Sequence, residues 1–359
     1  MSVRAAIMEG PGQPVRVVEM ADPVIEPGAV ALRTLAAEVC GTDVHLLHGR
    51  LSGVPYPIIP GHVSVGAVEE TGGAVTDVDG QTVRPGDVVT FLDVHETCHA
   101  CWHCLVAKLS TRCPKRKVYG ITYSARDGLL GGWSQRIYLK PGVCIVRLPR
   151  EVTPDLWIAA GCGLPTALHA VDLAALRIGD RVLVQGAGPV GLSACALAQA
   201  SGAGWVGVVE GSPIRRQAAL RMGADQCFDP AQDLLAEVAS ATRGRGPDVV
   251  IEASGNPAAV RQGCEMARDG GRYVIVGQYT DNGDVEINPH AHINRKHLTI
   301  QGCWGSDLSH IYRGAEALAR LGDRFPWVSM ISRRYSLDQV NEALSDVEHR
   351  RVVKAVIVP

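Results

Sequence analysis

The stretch VLVQGAGPVGLSA, Val182 to Ala194, restricts the fold more than any other part of this 359-residue chain. An apolar run leads into G-x-G-x-x-G at Gly186, Gly188 and Gly191, and a segment of helix formers follows. Strand, tight turn and helix in that order form the context in which the pattern binds a dinucleotide. Gly186 permits the turn, Gly188 lets the backbone approach a pyrophosphate, and Gly191 lets helix and strand pack closely. Pro189 and Val190 open the helix, whose N-terminus offers N–H groups and the positive end of its dipole. The next apolar run, WVGVVE, ends at Glu210, near the spacing of about 20 residues at which an acid meets the ribose hydroxyls. An acid there repels a 2′-phosphate and favours NAD; Arg215 and Arg216, just downstream, could soften the preference, so NADP stays open.

Around this motif the pattern changes along the chain. Up to about residue 150, short β segments alternate with Gly and Pro (PGAVALRTLA, GAVEET, RPGDVVTF, WSQRIYL), which predicts a mostly β domain. From 155 the reading is helix 155–176, strand 181–186, helix 188–202, strand 205–210, helix 213–222, strand 225–229, helix 234–242, strand 247–254, helix 258–267 and strand 270–277. Short apolar strands with helices between them argue for an α/β fold, a parallel sheet covered on both faces. Helices near 309–321 and 337–346 and a last strand, VVKAVIVP, complete the chain. The expected domains are therefore 1–162 with 303–359, β-rich, and 163–302, a doubly wound dinucleotide-binding insertion.

The 35 basic and 37 acidic residues leave a net charge of −2, with no block of like charge that would suit nucleic acid or an anionic membrane. MSVRAAIMEG has no long apolar core of a signal peptide, and the apolar helix 192–203 is too short to span a bilayer, so a cytoplasmic protein is expected.

The eleven cysteines are unevenly placed. Cys98, Cys101, Cys104 and Cys113, in CHACWHC and just beyond, have a spacing that can wrap one Zn²⁺ in four thiolates, a closed structural site. His95, His99 and His103 are interspersed and are expected to point outward. A second set is dispersed: Cys40 in VCGTDVH, His62 in PGHVSVG, and Cys162 in AGCGLPTALHA. Three such ligands with one open corner describe a catalytic zinc, although isolated cysteines and histidines are commonly just buried.

Taken in order, CGTD, the GH before a strand, the four-cysteine loop, GCGLPTALHA, GAGPVG and the terminal KAVIV resemble the zinc-dependent medium-chain alcohol dehydrogenases over essentially the whole length. The resemblance implies a Rossmann domain inserted into a GroES-like catalytic domain, with one catalytic and one structural zinc per chain. It implies Cys40, His62 and Cys162 as catalytic ligands and Asp43 as the carboxylate that orients His62. Thr42 would take the substrate proton and His45 would end the relay through the nicotinamide ribose. Thr166 would pack on the nicotinamide, Lys354 would lie near the pyrophosphate, and Leu51 and Val94 would line the substrate pocket, which Trp133 and Trp304 could also approach. The strand 298–304 resembles the edge through which relatives dimerise, so a homodimer or homotetramer is expected.

Val63 departs from the pattern, because relatives usually carry a glutamate directly after this histidine. Valine leaves the metal more Lewis-acidic, and Glu69 or Glu70 on the same strand could partly substitute. The implied reaction is reversible oxidation of a small alcohol (primary, secondary or polyol) to an aldehyde or ketone. The alternatives are an NAD(P)H-dependent carbonyl reductase built from the same atoms, and a catalytically silent nucleotide-binding zinc protein.

Overall fold

The computed structural model describes residues 2–359. The chain divides into two units, the first comprising 1–161, 307–320 and 328–359, the second 162–306 and 321–327. The passage of 321–327 into the second unit has no counterpart in the sequence reading.

The first unit is built on a mixed sheet with strands in the order Ile331–Tyr335, Lys354–Ile357, Val30–Val39, Ser64–Thr71, Val88–Phe91 and Ile145–Arg147; Arg136–Leu139 also pairs with Val30–Val39. The long strand VALRTLAAEV is buried at almost every position: it pairs with three other strands and is contacted by the helices Pro154–Ala160 and Val340–Glu348. Its core gathers Leu32, Val39, Ile58, Val68, Trp133, Ile137 and Leu344. A helix at Gly41–Leu47 interrupts this region, which the sequence reading treated as β; it is too short for its periodicity to show.

The second unit carries a six-stranded parallel sheet: Gln226–Phe228, Trp205–Val209, Arg181–Gln185, Val249–Glu252, Arg272–Ile275 and Thr299–Gly302. In chain order this is third, second, first, fourth, fifth, sixth, the doubly wound arrangement that leaves a ligand crevice beside the first strand. VLV and VVI are buried on both faces, as strands covered by helices must be.

The single helix expected over 155–176 is two, Pro154–Ala160 and Gly163–Ala174, parted at Gly161 and Cys162. Gly161 adopts φ +49°, which a continuing helix cannot contain. Among the described residues no single helix is long and apolar enough to cross a membrane.

Candidate metal centre and dinucleotide site

Cys40, His62 and Cys162 offer ligand atoms that all lie within 4.8 Å of one another. Each sits where regular structure stops. Cys40 ends the strand Val30–Val39 and is the N-cap of the helix Gly41–Leu47; His62 precedes the strand Ser64–Thr71; Cys162 fills the break between two helices. Strand and helix ends allow side chains distant in sequence to converge without distorting a hydrogen-bond ladder. Two thiolates and a neutral imidazole cancel the +2 charge of zinc, so the donor set suits that ion.

Asp43 is fully buried, and its Oδ2 accepts the Cys40 N–H at 2.9 Å. Its Oδ1 is buried without a hydrogen-bond partner, and burial raises the carboxyl pKa against the opposing pull of the facing His62 ring. An acceptor waiting beside an imidazole is what a metal-ligating histidine needs to fix its tautomer, so these residues fit zinc. Thr42 and His45 are three residues apart on the same short helix, hence on one face, and both are half-buried. Burial first, then Arg50 and His48, lowers the His45 pKa.

The surroundings correct several expectations. Glu69 and Glu70 are exposed, and Glu69 pairs with Arg136 at 2.6 Å, so neither stands in for the acid missing at Val63. Trp133 is fully buried and donates its indole N–H to the Glu38 carbonyl at 3.0 Å; it supports the site from within the core and lines no pocket. Lys354 has no exposed side-chain surface. Its Nζ lies 2.8 Å from Glu38 Oε1 and donates to the Ile158 carbonyl, so this ammonium is spent inside the first unit and is no pyrophosphate contact. Leu51 and Val94 are half-buried and pack against the first core. In the second unit, Trp304 stacks on Tyr279 with ring centroids 5.7 Å apart.

Two acids near the centre escaped the sequence reading. Glu38 is 1% exposed, and Asp93 is a carboxyl whose pKa burial raises while His62 and Arg116 oppose it. For Glu38 the signal was present as a lone acid in the apolar run TLAAEVC.

Cys98, Cys101, Cys104 and Cys113 form a second cluster. The Sγ atoms of Cys101 and Cys104, and of Cys98 and Cys113, are each 3.6 Å apart. Thiolates about 2.3 Å from a common tetrahedral centre are roughly 3.7 Å apart, so the four are already spaced for zinc. The Cys98 N–H, directed at Cys113 Sγ, pulls that thiol down to about 6. Of the neighbouring histidines, His95 bonds Tyr123 and the Pro141 carbonyl and His99 bonds Thr97, while His103 packs edge-on against Trp102 with its Nδ1 buried and without a hydrogen-bond partner.

In the second unit the three motif glycines have separate physical reasons. Gly186 has φ +97°; a Cβ on Gly191 would lie 1.9 Å from the Gly186 carbonyl oxygen; a Cβ on Gly188 would meet nothing within 4 Å. The last is open space at the N-cap of the helix Pro189–Ala200, suited to a pyrophosphate. Glu210 is anchored there, its oxygens accepting the N–H groups of Ala187 and Ser212, both at 2.9 Å. Arg216 is committed to the Glu210 and Gly211 carbonyls and to Asp229. Arg215 lies on the same helix, Pro213–Arg221. Thr166 is half-buried on the helix that starts at Gly163, where a Cβ would lie 2.7 Å from the Pro189 carbonyl oxygen. Close approach at Gly163 therefore sets the Cys162 turn beside the nucleotide helix.

Comparison with known proteins identifies the family. The family described as "Alcohol dehydrogenase GroES-like domain" matches residues 26–150, and "Zinc-binding dehydrogenase" matches 189–320. The chain is 34% identical to 5-exo-hydroxycamphor dehydrogenase of Pseudomonas putida over 337 residues, 92% of each chain. It belongs to the zinc-dependent medium-chain alcohol dehydrogenase family. Among solved structures, an alcohol dehydrogenase of Thermotoga maritima superposes with a TM-score of 0.94 at 33% identity, covering 100% of both chains. A zinc-binding dehydrogenase of Sinorhizobium meliloti, solved bound to NADP, superposes with a TM-score of 0.87 at 29% identity, again over 100% of both. As a member of this dehydrogenase family the protein is a zinc-dependent oxidoreductase that acts on alcohols with a nicotinamide cofactor.

Proposed function

We propose that the protein oxidises a small, partly apolar alcohol to the corresponding carbonyl compound with NAD in preference to NADP, holding two zinc ions per chain. The convergence of Cys40, His62 and Cys162 carries this reading. When bound, zinc supplies a Lewis acid that lowers the pKa of an alcohol hydroxyl, and the dinucleotide supplies the hydride acceptor.

The chain's own residues do the rest. Asp43 holds the His62 imidazole in one tautomer. The Thr42 hydroxyl takes the proton leaving the alcohol, and His45, on the same helix face, accepts it onward and releases it to water. Leu51 and Val94 present an apolar wall to the substrate. Glu210 receives the adenosine ribose, and Gly188 leaves room for the pyrophosphate. Cys98, Cys101, Cys104 and Cys113 hold the second zinc and tie down their loop. The strand Thr299–Gly302 ends the six-stranded sheet, and pairing of this edge with a second copy would give a homodimer or a larger homo-oligomer.

The test is zinc analysis of the purified chain together with a panel of alcohols and carbonyls offered with NAD(H) and NADP(H), followed at the reduced-nicotinamide absorbance. Two zincs and NAD-dependent turnover are expected. One zinc and no turnover would overturn the reading in favour of a silent nucleotide-binding protein.

A further inference from the structure

Glu38 and Lys354 form an ion pair whose side chains are 1% and 0% exposed. Removing two charges from water costs more than their attraction returns unless the geometry is good and the remaining polar atoms are satisfied, so such a pair calls for a reason.

Its placement supplies one. The strands run antiparallel with Val356 opposite Glu38 and Ala355 opposite Val39, so Lys354 stands at the Cys40 end of the ladder. Glu38 is two residues before Cys40, and its N–H donates to the Val63 carbonyl at 3.0 Å, next to His62. Gly161, directly before Cys162, has no Cβ because the pair occupies that space: an added Cβ would lie 2.0 Å from Glu38 Oε2 and 2.4 Å from Lys354 Nζ. Lys354 also donates to the Ile158 carbonyl, in the last turn of the helix that leads to Gly161. One ion pair thus adjoins the backbone of all three ligand turns.

We propose that Glu38 and Lys354 are a positioning pair for the catalytic metal: Lys354 clamps the helix end that delivers Cys162, and Glu38 neutralises Lys354 so that a buried cation does not oppose the dication held by Cys40, His62 and Cys162. This rests on the reading that those three residues bind zinc. It also accounts for Val63. Ala37 pairs with Ser64, so Glu38 and Val63 are directly opposite on adjacent strands and point to the same face. A carboxylate at either position serves that face, and this chain carries it at 38.

The experiment uses the full chain loaded with zinc, or with cobalt(II) in its place. It compares the wild type with Glu38→Gln, Glu38→Gln/Lys354→Met and Glu38→Gln/Val63→Glu, reading metal per chain, the rate of metal loss to a chelator, and the visible cobalt spectrum. Glu38→Gln is expected to lose one metal per chain about tenfold faster or more, the scale on which outer-shell partners tune metal sites, while the four-cysteine metal stays. Restoring the carboxylate at 63 should return retention toward the wild-type rate and restore the cobalt spectrum; removing both charges takes away the uncompensated cation but also the clamp on the Ile158 carbonyl, so it should recover only part of the retention. The proposal is overturned if folded Glu38→Gln keeps both metals with a wild-type rate and spectrum, or if neither double variant improves on it. If Glu38→Gln does not fold, the transposed chain Glu38→Val/Val63→Glu decides. Folding with both metals supports the pair, and failure to fold or loss of one metal overturns it. A wild type that binds only one zinc would instead sink the ligand assignment itself.

Discussion

The Glu210 carboxylate accepts the Ala187 N–H at 2.9 Å, which ties the acid proposed to meet the ribose to the glycine turn proposed to meet the pyrophosphate. Glu210→Ala removes both the ribose acceptor and this brace. Bonds to a charged group are worth about 1.5–3 kcal/mol, so kcat/KM with NAD should fall roughly 10- to 100-fold while use of NADP falls less. The ratio of kcat/KM for the two cofactors measures this. Wild-type enzyme that uses NADP as well as NAD would contradict it.

Gly188 and Gly191 make a paired test. Space around Gly188 is open, so Gly188→Ala should leave Tm within about 1–2 °C of wild type yet weaken dinucleotide binding tenfold or more, because the added methyl group occupies the pyrophosphate's approach. Gly191→Ala meets a backbone oxygen at 1.9 Å and should lower Tm by several degrees. Thermal melts and calorimetric titration with NAD separate the two; equal Tm losses would refute the distinction.

Burial holds the His45 pKa below its usual value, about 6.5 in the unfolded chain. Two consequences have the same sign. As the proposed proton acceptor, His45 stays neutral to lower pH, so the acid limb of alcohol oxidation should lie below pH 6.5, and His45→Gln should remove that limb while lowering kcat roughly 10- to 100-fold. As pH falls below 6.5 the unfolded chain takes up a proton that the folded chain still refuses, so this group's contribution to stability declines on acidification. The pH–rate profile of kcat/KM decides; an unchanged acid limb in His45→Gln would remove His45 from the relay.

The loop around the four cysteines has little core of its own. Its helix, Trp102–Leu105, has four residues, and Trp102, Leu105, Val106 and Leu109 are exposed. On the proposed reading, the second zinc is what holds it. Cys113→Ser should lose one zinc per chain and become cleavable by protease within residues 98–113, as read by zinc analysis and mass spectrometry of the fragments. A protease-resistant loop without that metal would show packing to be sufficient.

Legibility in the sequence followed the length scale of each feature. The doubly wound insertion could be read because short apolar strands and helices alternate regularly along it, and the four cysteines because they are close together in sequence. The helix Gly41–Leu47 is only about two turns long and lies between β segments, so its pattern is invisible, although it is what places Thr42 and His45 on one face. The break at Gly161 was hidden because apolar residues continue through it. Lys354 was misplaced for a different reason: whether a lysine meets solvent or a buried carboxylate depends on a partner 316 positions away, at Glu38, and no local pattern carries that pairing. Trp133 was misassigned likewise, since a core tryptophan and a pocket tryptophan look alike in one dimension.

The contact of Gly163 with Pro189 reaches beyond packing. Where two backbones touch, no side chain sets the gap, so the interval between a metal-bearing turn and the nucleotide loop is indifferent to the residues that vary around it. With Leu51 and Val94 as the proposed substrate wall, those side chains could be exchanged to admit a differently shaped alcohol without retuning that interval. Redesign of substrate preference in this protein should begin at those two positions and leave glycine at 163.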